Sequence, residues 1–166
     1  MDWGQLIQKF GIGAMGFNVD NYLDERLDAD NKPNNKPYSE GVAYTGKEHS
    51  WDEGFGYFGA AVHALDLSAD QAYGISKKAD LAIADANGDG VVDLKTEMVF
   101  GSAYYAADAD KSGKTDYLPT IMSAFVEGRK LIASANGEAL SDAERAQLKA
   151  YAEVIETEWT LSLIHI

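Results

Sequence analysis

His49-Ser-Trp-Asp-Glu-Gly-Phe-Gly-Tyr-Phe-Gly-Ala-Ala61 is the densest run of aromatics, glycines and candidate ligands in the chain. Trp51, Phe55, Phe58, Val62 and Leu65 recur at alternating steps of four and three. That spacing puts them on one stripe of a helix. His49, Asp52, Gly56, Gly59 and His63 form the stripe beside it. The pattern predicts one helix over about Lys47 to Leu67, with a bulky apolar seam next to small residues. Glycine costs about 1 kcal/mol at an interior helix position. Gly54, Gly56 and Gly59 therefore imply that another backbone or a ligand packs close to this helix.

Upstream, Trp3, Ile7, Phe10, Ala14 and Phe17 share a helical face, so residues 3–27 read as a helix. Residues 28–46 follow as a loop, because two prolines and three asparagines interrupt regular structure. Downstream, 68–76 reads as a turn or short helix, and 77–84 as a further helical segment. Helices are predicted over Leu94–Ala107 and Tyr117–Ala135. Asn136-Gly137 ends the second of these. Ser141-Asp-Ala-Glu144 is a capping box that opens a last amphipathic helix running to about Trp159. No stretch shows sustained strand alternation. The class is all-α, a helical bundle in one domain over residues 1–160.

The chain has 166 residues, 46% of them hydrophobic, and a net charge of −13. That length allows one domain with a real core. A uniform negative field repels phosphate backbones, so nucleic acid is not expected as a partner. There is no cysteine, which leaves oxygen and imidazole as metal ligands. No apolar run reaches the ~18 residues of a membrane span. The first residues already follow a helical pattern, and the native N-terminus is expected to lie upstream. Residues 161–166 resemble the in-frame translation of a transposon end used in sequencing libraries, and are expected to be adapter read-through. Codons other than the adapter's would overturn that reading.

Asp85, Asn87, Asp89, Gly90 and Asp93 match positions 1, 3, 5, 6 and 9 of an EF-hand-type calcium loop. A hard cation needs several oxygens, and alternate residues of a tight loop aim theirs inward. The glycine makes the turn, and the carbonyl of Val91 adds a ligand. Position 12 is Thr96 where a bidentate glutamate belongs, and Glu97 follows one residue late. The plain alternative is a pair of Asn-Gly and Asp-Gly turns followed by Asp93 as a helix N-cap. Asp108, Asp110, Ser112 and Asp116 repeat the pattern more weakly, with Pro119 at position 12. There the alternative is a helix stop at Gly113 and an N-cap at Thr115 or Asp116.

A third candidate lies on the opening stretch. His49 with Asp52 or Glu53 has the i,i+3 and i,i+4 spacing of a metal pair on one helix face. The alternative is a salt-bridged or core histidine. His63 lies about 21 Å along the same predicted helix and cannot share an ion with His49.

The run His-Ser-Trp-Asp-Glu-Gly-Phe-Gly-Tyr-Phe-Gly resembles the signature of an imelysin-like bacterial domain family of unknown function. Gln5-Leu-Ile-Gln-Lys-Phe10, Asn87-Gly-Asp-Gly with Asp93-Leu-Lys, and Phe125-x-x-Gly-Arg129 extend the resemblance over most of residues 3–159. It implies a cell-envelope protein of a Gram-negative bacterium, in the periplasm or at the outer membrane. It further implies a link to iron or haem uptake, with His49, Asp52 and Glu53 near a proposed metal motif. In this chain the motif's glycine stands one residue too far from His49. The expected function is that of a non-enzymatic protein holding calcium structurally, with iron, haem or zinc at the His49 region. The alternatives are a metal-dependent hydrolase using His49 and Glu53, or a scaffold that only packs. No His-Glu-x-x-His motif and no serine or cysteine constellation supports a peptidase.

Overall fold

Thr45 begins the central helix. Its hydroxyl accepts from the Glu48 N–H at 3.1 Å, and the Glu48 carboxylate accepts from the Thr45 N–H at 2.7 Å. This reciprocal pair is a capping box, and it opens α1, Gly46–Phe58. The computed structural model describes residues 26–28 and 31–164. The helix predicted over 3–27 therefore lies outside the described residues except at its last positions. After α1 come a 3₁₀ turn at Ala64–Asp66 and then α2, Ala69–Ser76. They are followed by α3, Gly101–Asp110, α4, Tyr117–Ser134, and α5, Asp142–Ile164. The fold is all-α, and among the described residues no strand forms. The nearest approach to one is an isolated bridge between Pro37 and Thr45.

Two compact units divide the chain: Met1–Phe55 with Ala124–Thr157, and Gly56–Ser123 with Glu158–Ile166. In the first, Trp51 is the pivot. It is 1% exposed, and its indole N–H donates to the Phe125 carbonyl at 2.8 Å. The Phe125 ring meets Trp51 and Phe55 edge-on, at centroid distances of 5.8 and 5.6 Å, a favoured aromatic geometry. Gly128 lies one helical turn beyond Phe125 and packs against the six-membered ring of the indole. A Cβ there would stand within 2.7 Å of Trp51 Cε2 and Cη2. Leu148, Ala152 and Ile155 line the buried face of α5.

In the second unit Phe58 is fully buried and meets Trp159 edge-on at 5.1 Å. Ala103, Ala106 and Ala107 are fully buried on α3, which packs against α2. Small side chains there permit close approach of the two helices.

The predicted helix over 47–67 ends nine residues early. Gly59 adopts a left-handed φ of +82°, and its carbonyl accepts from the Phe100 N–H at 2.9 Å. A Cβ on Gly59 would lie 2.6 Å from the Phe100 carbonyl oxygen, so only glycine fits. Val62 and Leu65, predicted to continue the apolar seam, are 54% and 45% exposed. Gly56 faces open space, against the expectation of a close neighbour.

Two further boundaries differ from the sequence reading. Residues 77–84 are turns, with Lys78 left-handed at φ 57°. The helix predicted over 94–107 runs instead from Gly101 to Asp110. Residues 94–97 form a turn tied back through Glu97, and Phe100 is extended. The Ser141–Glu144 capping box forms as expected, with the Ser141 N–H donating to Glu144 at 2.7 Å.

Candidate functional site

The first acidic loop winds around one carboxylate. Asp85 Oδ1 accepts from the N–H groups of Gly88 and Asp89, at 2.9 and 3.1 Å. Its Oδ2 accepts from Gly90 at 2.8 Å. Asn87 Oδ1 accepts from the Asp89 N–H at 2.9 Å, and Asp89 Oδ1 from the Val91 N–H at 2.8 Å. Gly88 and Gly90 both need φ above +70° to allow this winding. Val91 itself is exposed.

Glu97 closes the loop from the other side. It is buried, and it accepts from Ala86 and Asn87 through Oε1 at 3.1 and 3.3 Å, and from Asp93 through Oε2 at 2.8 Å. Asp93 does not cap a helix, as the plain alternative supposed; its carboxylate holds the Lys95 N–H at 2.7 Å in a turn. Among the described residues no lysine or arginine pairs with Asp85, Asp89, Asp93 or Glu97. Four negative charges thus share thirteen residues, with backbone N–H groups and the Asn87 amide, which donates to Asp89 Oδ2 at 3.1 Å, as their partners.

The second acidic stretch is put to several uses. Asp110 is buried and bonds the N–H groups of Tyr117 and Leu118 at 2.9 and 2.8 Å. It caps α4 from seven residues upstream, where Thr115 or Asp116 was expected. Asp108 pairs with Lys111 at 2.7 Å, and Ser112 Oγ accepts from the Lys114 N–H at 3.3 Å. Asp116 contributes its carbonyl to the Thr120 N–H. Replacing Asp110 by alanine strands two buried N–H groups, and should cost about 2 kcal/mol in urea unfolding. Asp110→Asn keeps an acceptor and should recover part of that loss. Equal stability of the alanine variant and the parent would refute the cap.

On α1, His49 Nε2 lies 3.6 Å from Glu53. The imidazole also lies tilted against Tyr38 at a centroid distance of 3.8 Å and stacks on Tyr44 at 5.7 Å. Asp52 turns to Arg129 instead, at 3.0 Å, while the same guanidinium reaches Glu48 at 2.9 Å. Burial works against ionisation of Glu48, but the Thr45 N–H and Arg129 outweigh it and hold the carboxyl below its usual range. Burial raises the Asp52 carboxyl, with Arg129 opposing. The structure therefore joins His49 to Glu53 and gives Asp52 a structural partner. His63 is not on α1; it sits in the following turn, 3.2 Å from the Ile83 carbonyl. Among the described residues no three His, Asp or Glu side chains are arranged to hold a metal ion.

The sequence assigned no role to Arg129 or Thr45. The Thr45-x-x-Glu48 spacing is a readable capping signal, whereas the pairing of Arg129 with Glu48 and Asp52 spans about eighty residues and leaves no local mark.

These helices and loops give an all-α protein with a wound acidic turn at 85–97 and, on α1, a histidine beside Glu53. The chain belongs to a domain family of unknown function, DUF4856, whose model matches residues 1–158. No curated protein and no solved structure matches the chain. Among the described residues no helix is long and apolar enough to cross a membrane.

Proposed function

We propose that this domain is a non-enzymatic module of the bacterial cell envelope that binds calcium through the 85–97 loop. One observation carries the reading: a loop already wound by its own side chains holds four carboxylates and, among the described residues, no cationic partner. An ion would offset their mutual repulsion by drawing Asp85, Asn87, Asp89 and Asp93 together with the Val91 carbonyl. Binding and local folding are then coupled. Glu97 is committed to backbone N–H groups, and Thr96 holds the twelfth place, so the bidentate ligand is missing. That points to the weak range of extracellular modules, about 10⁻⁴–10⁻³ M. Such an affinity is useful only outside the cytoplasm. The resemblance to imelysin-like envelope proteins supports the same setting.

Calorimetry with calcium tests the proposal. At about ten times Kd the ion should stabilise the fold by about 1.4 kcal/mol, and Asp85→Asn should abolish most of the heat. Absence of heat and of any thermal shift at millimolar calcium would end this reading.

Iron, haem or zinc at the His49 region is the second reading, favoured by the approach of His49 to Glu53. The pair offers two ligands, and Asp52 would have to leave Arg129 to supply a third. A hydrolase built on Glu53 as general base has the same two groups to draw on. Metal analysis of untagged protein and of its His49→Ala variant checks both. Equal metal content in the two proteins, or none in either, leaves α1 a purely packing element.

A further inference from the structure

A cavity of about 280 Å³ lies in the first unit, lined by the 33–36 loop, Lys47, Leu140 and Arg145 among others. Its charge runs against the rest of the molecule. The chain carries a net −13 with fourteen Lys and Arg residues. Three of these, Lys36, Lys47 and Arg145, line this one cavity, and no Asp or Glu does. From this juxtaposition we propose that the cavity is a binding site for a compact dianion, a phosphate or a terminal phosphomonoester.

The rim is rigid where recognition needs it to be. Asn34 is buried and donates to the carbonyls of Glu138 and Ile132, at 2.9 and 3.4 Å, while accepting from the Thr45 hydroxyl at 2.8 Å. Gly46 lies so close to this loop that a Cβ there would be 3.1 Å from the Lys32 carbonyl carbon. The Gly46 N–H also holds the Lys36 carbonyl at 3.3 Å. The loop is thus fixed on both sides of Asn35 and Lys36. The side chains of those two residues make no hydrogen bond or ion pair among the described residues. A held backbone brings these uncommitted donors to a fixed stretch of the rim, where they are free to turn to an anion.

Lys47 supplies charge from behind. Its ammonium donates to the carbonyls of Arg26, Asp28 and Asn31, so its donors are occupied while its field is not. Burial lowers it to about 8; Asp28 counters this, and Arg145 and Lys149 lower it further. Arg145 is braced by the Leu140 carbonyl and by Asp142. The proposed anion contacts are therefore Lys36 and Asn35, within the field of Lys47 and Arg145. A dianion matches this excess of charge better than a single carboxylate does.

Inorganic phosphate and glycerol phosphate, titrated into the full chain at constant ionic strength, provide the test. The expected result is saturable one-site binding that shifts the backbone amides of Asn35 and Lys36. It should also raise the Lys47 titration above about 8. Lys36→Gln should weaken binding about tenfold, whereas Lys114→Gln, an exposed control in the other unit, should leave it unchanged. Tighter binding of glycerol phosphate assigns the site to an ester, and equal or weaker binding assigns it to the free ion. No saturable response up to about 10 mM, or equal losses from the two lysine substitutions, would overturn the proposal. Lys36 is exposed and outside the core, so its substitution leaves the fold intact.

Discussion

Gly128→Ala should destabilise the protein by about 3 kcal/mol or more, although alanine favours a helix over glycine by about 1 kcal/mol. The two effects oppose each other, and the steric one wins. An alanine Cβ would collide with three indole carbons of Trp51: Cζ2, Cε2 and Cη2. The indole cannot swing away cheaply. It is 1% exposed, bonded to the Phe125 carbonyl and braced edge-on by the Phe125 ring. The alternative is displacement of α4, which would disturb every contact along it. Urea unfolding provides the measurement, and a large fall in midpoint at unchanged slope is the expected result. Trimming Trp51 to leucine in the same background should recover part of the loss, because the two substitutions share one volume. A midpoint equal to the parent's would show that the indole does not fill the place of the Gly128 side chain.

The second large effect is a dependence of stability on pH that runs opposite to that of an ion-paired lysine. Lys47 is buried among carbonyls, and desolvation brings its titration down from 10.5 to about 8. Below pH 8 both folded and unfolded chains hold the proton, so stability has no slope from this group. Between pH 8 and 10.5 the unfolded chain holds more protons, so stability rises with pH. The full change is about 3 kcal/mol, from 1.36 kcal/mol per pH unit over that interval. Lys77 and Lys111 are raised instead, by hydrogen bonds to Tyr104 and Asp108. Their contributions are lost as pH rises. The Lys47 component is isolated by comparing the wild type with Lys47→Met at pH 7, 8, 9 and 10. The difference should grow in favour of the wild type across that series. A flat difference would mean that the three carbonyls fully replace the water removed from the ammonium.

Legibility in the sequence followed the range of the forces involved. The helix at Tyr117–Ser134 and the start of the one at Asp142 were readable, because periodicity and the Ser141–Glu144 cap are local. The start of α1 was placed within a residue, but its end was not. Trp51, Phe55, Phe58, Val62 and Leu65 keep helical spacing straight through Gly59. What stops the helix is the backbone of Phe100, forty-one residues away. Asp110 shows the same limit. By spacing it fits a calcium loop, whereas in three dimensions it faces the open N–H groups of the next helix. Acidic residues in a turn look alike in sequence whether they await an ion or satisfy the backbone. In Asp85–Glu97 the carboxylates bond the N–H groups of their own loop, whereas Asp110 bonds those of the following helix, and only the hydrogen bonds show that difference. The cationic cavity was not legible at all, because its charges lie at 36, 47 and 145 in a chain whose overall sign is negative.

Arg129 has a consequence for how the first unit assembles. Its guanidinium spans Glu48 and Asp52, one turn apart on α1, while its neighbour Gly128 receives the Trp51 ring lying between them in sequence. The contact is a key with two teeth, one electrostatic and one steric. Sliding α4 by a turn along α1 would set the indole against a side chain and leave the guanidinium short of one carboxylate. Only one alignment of these two segments satisfies both, so a pairing shifted by a turn forfeits the ion pair and the ring's place together.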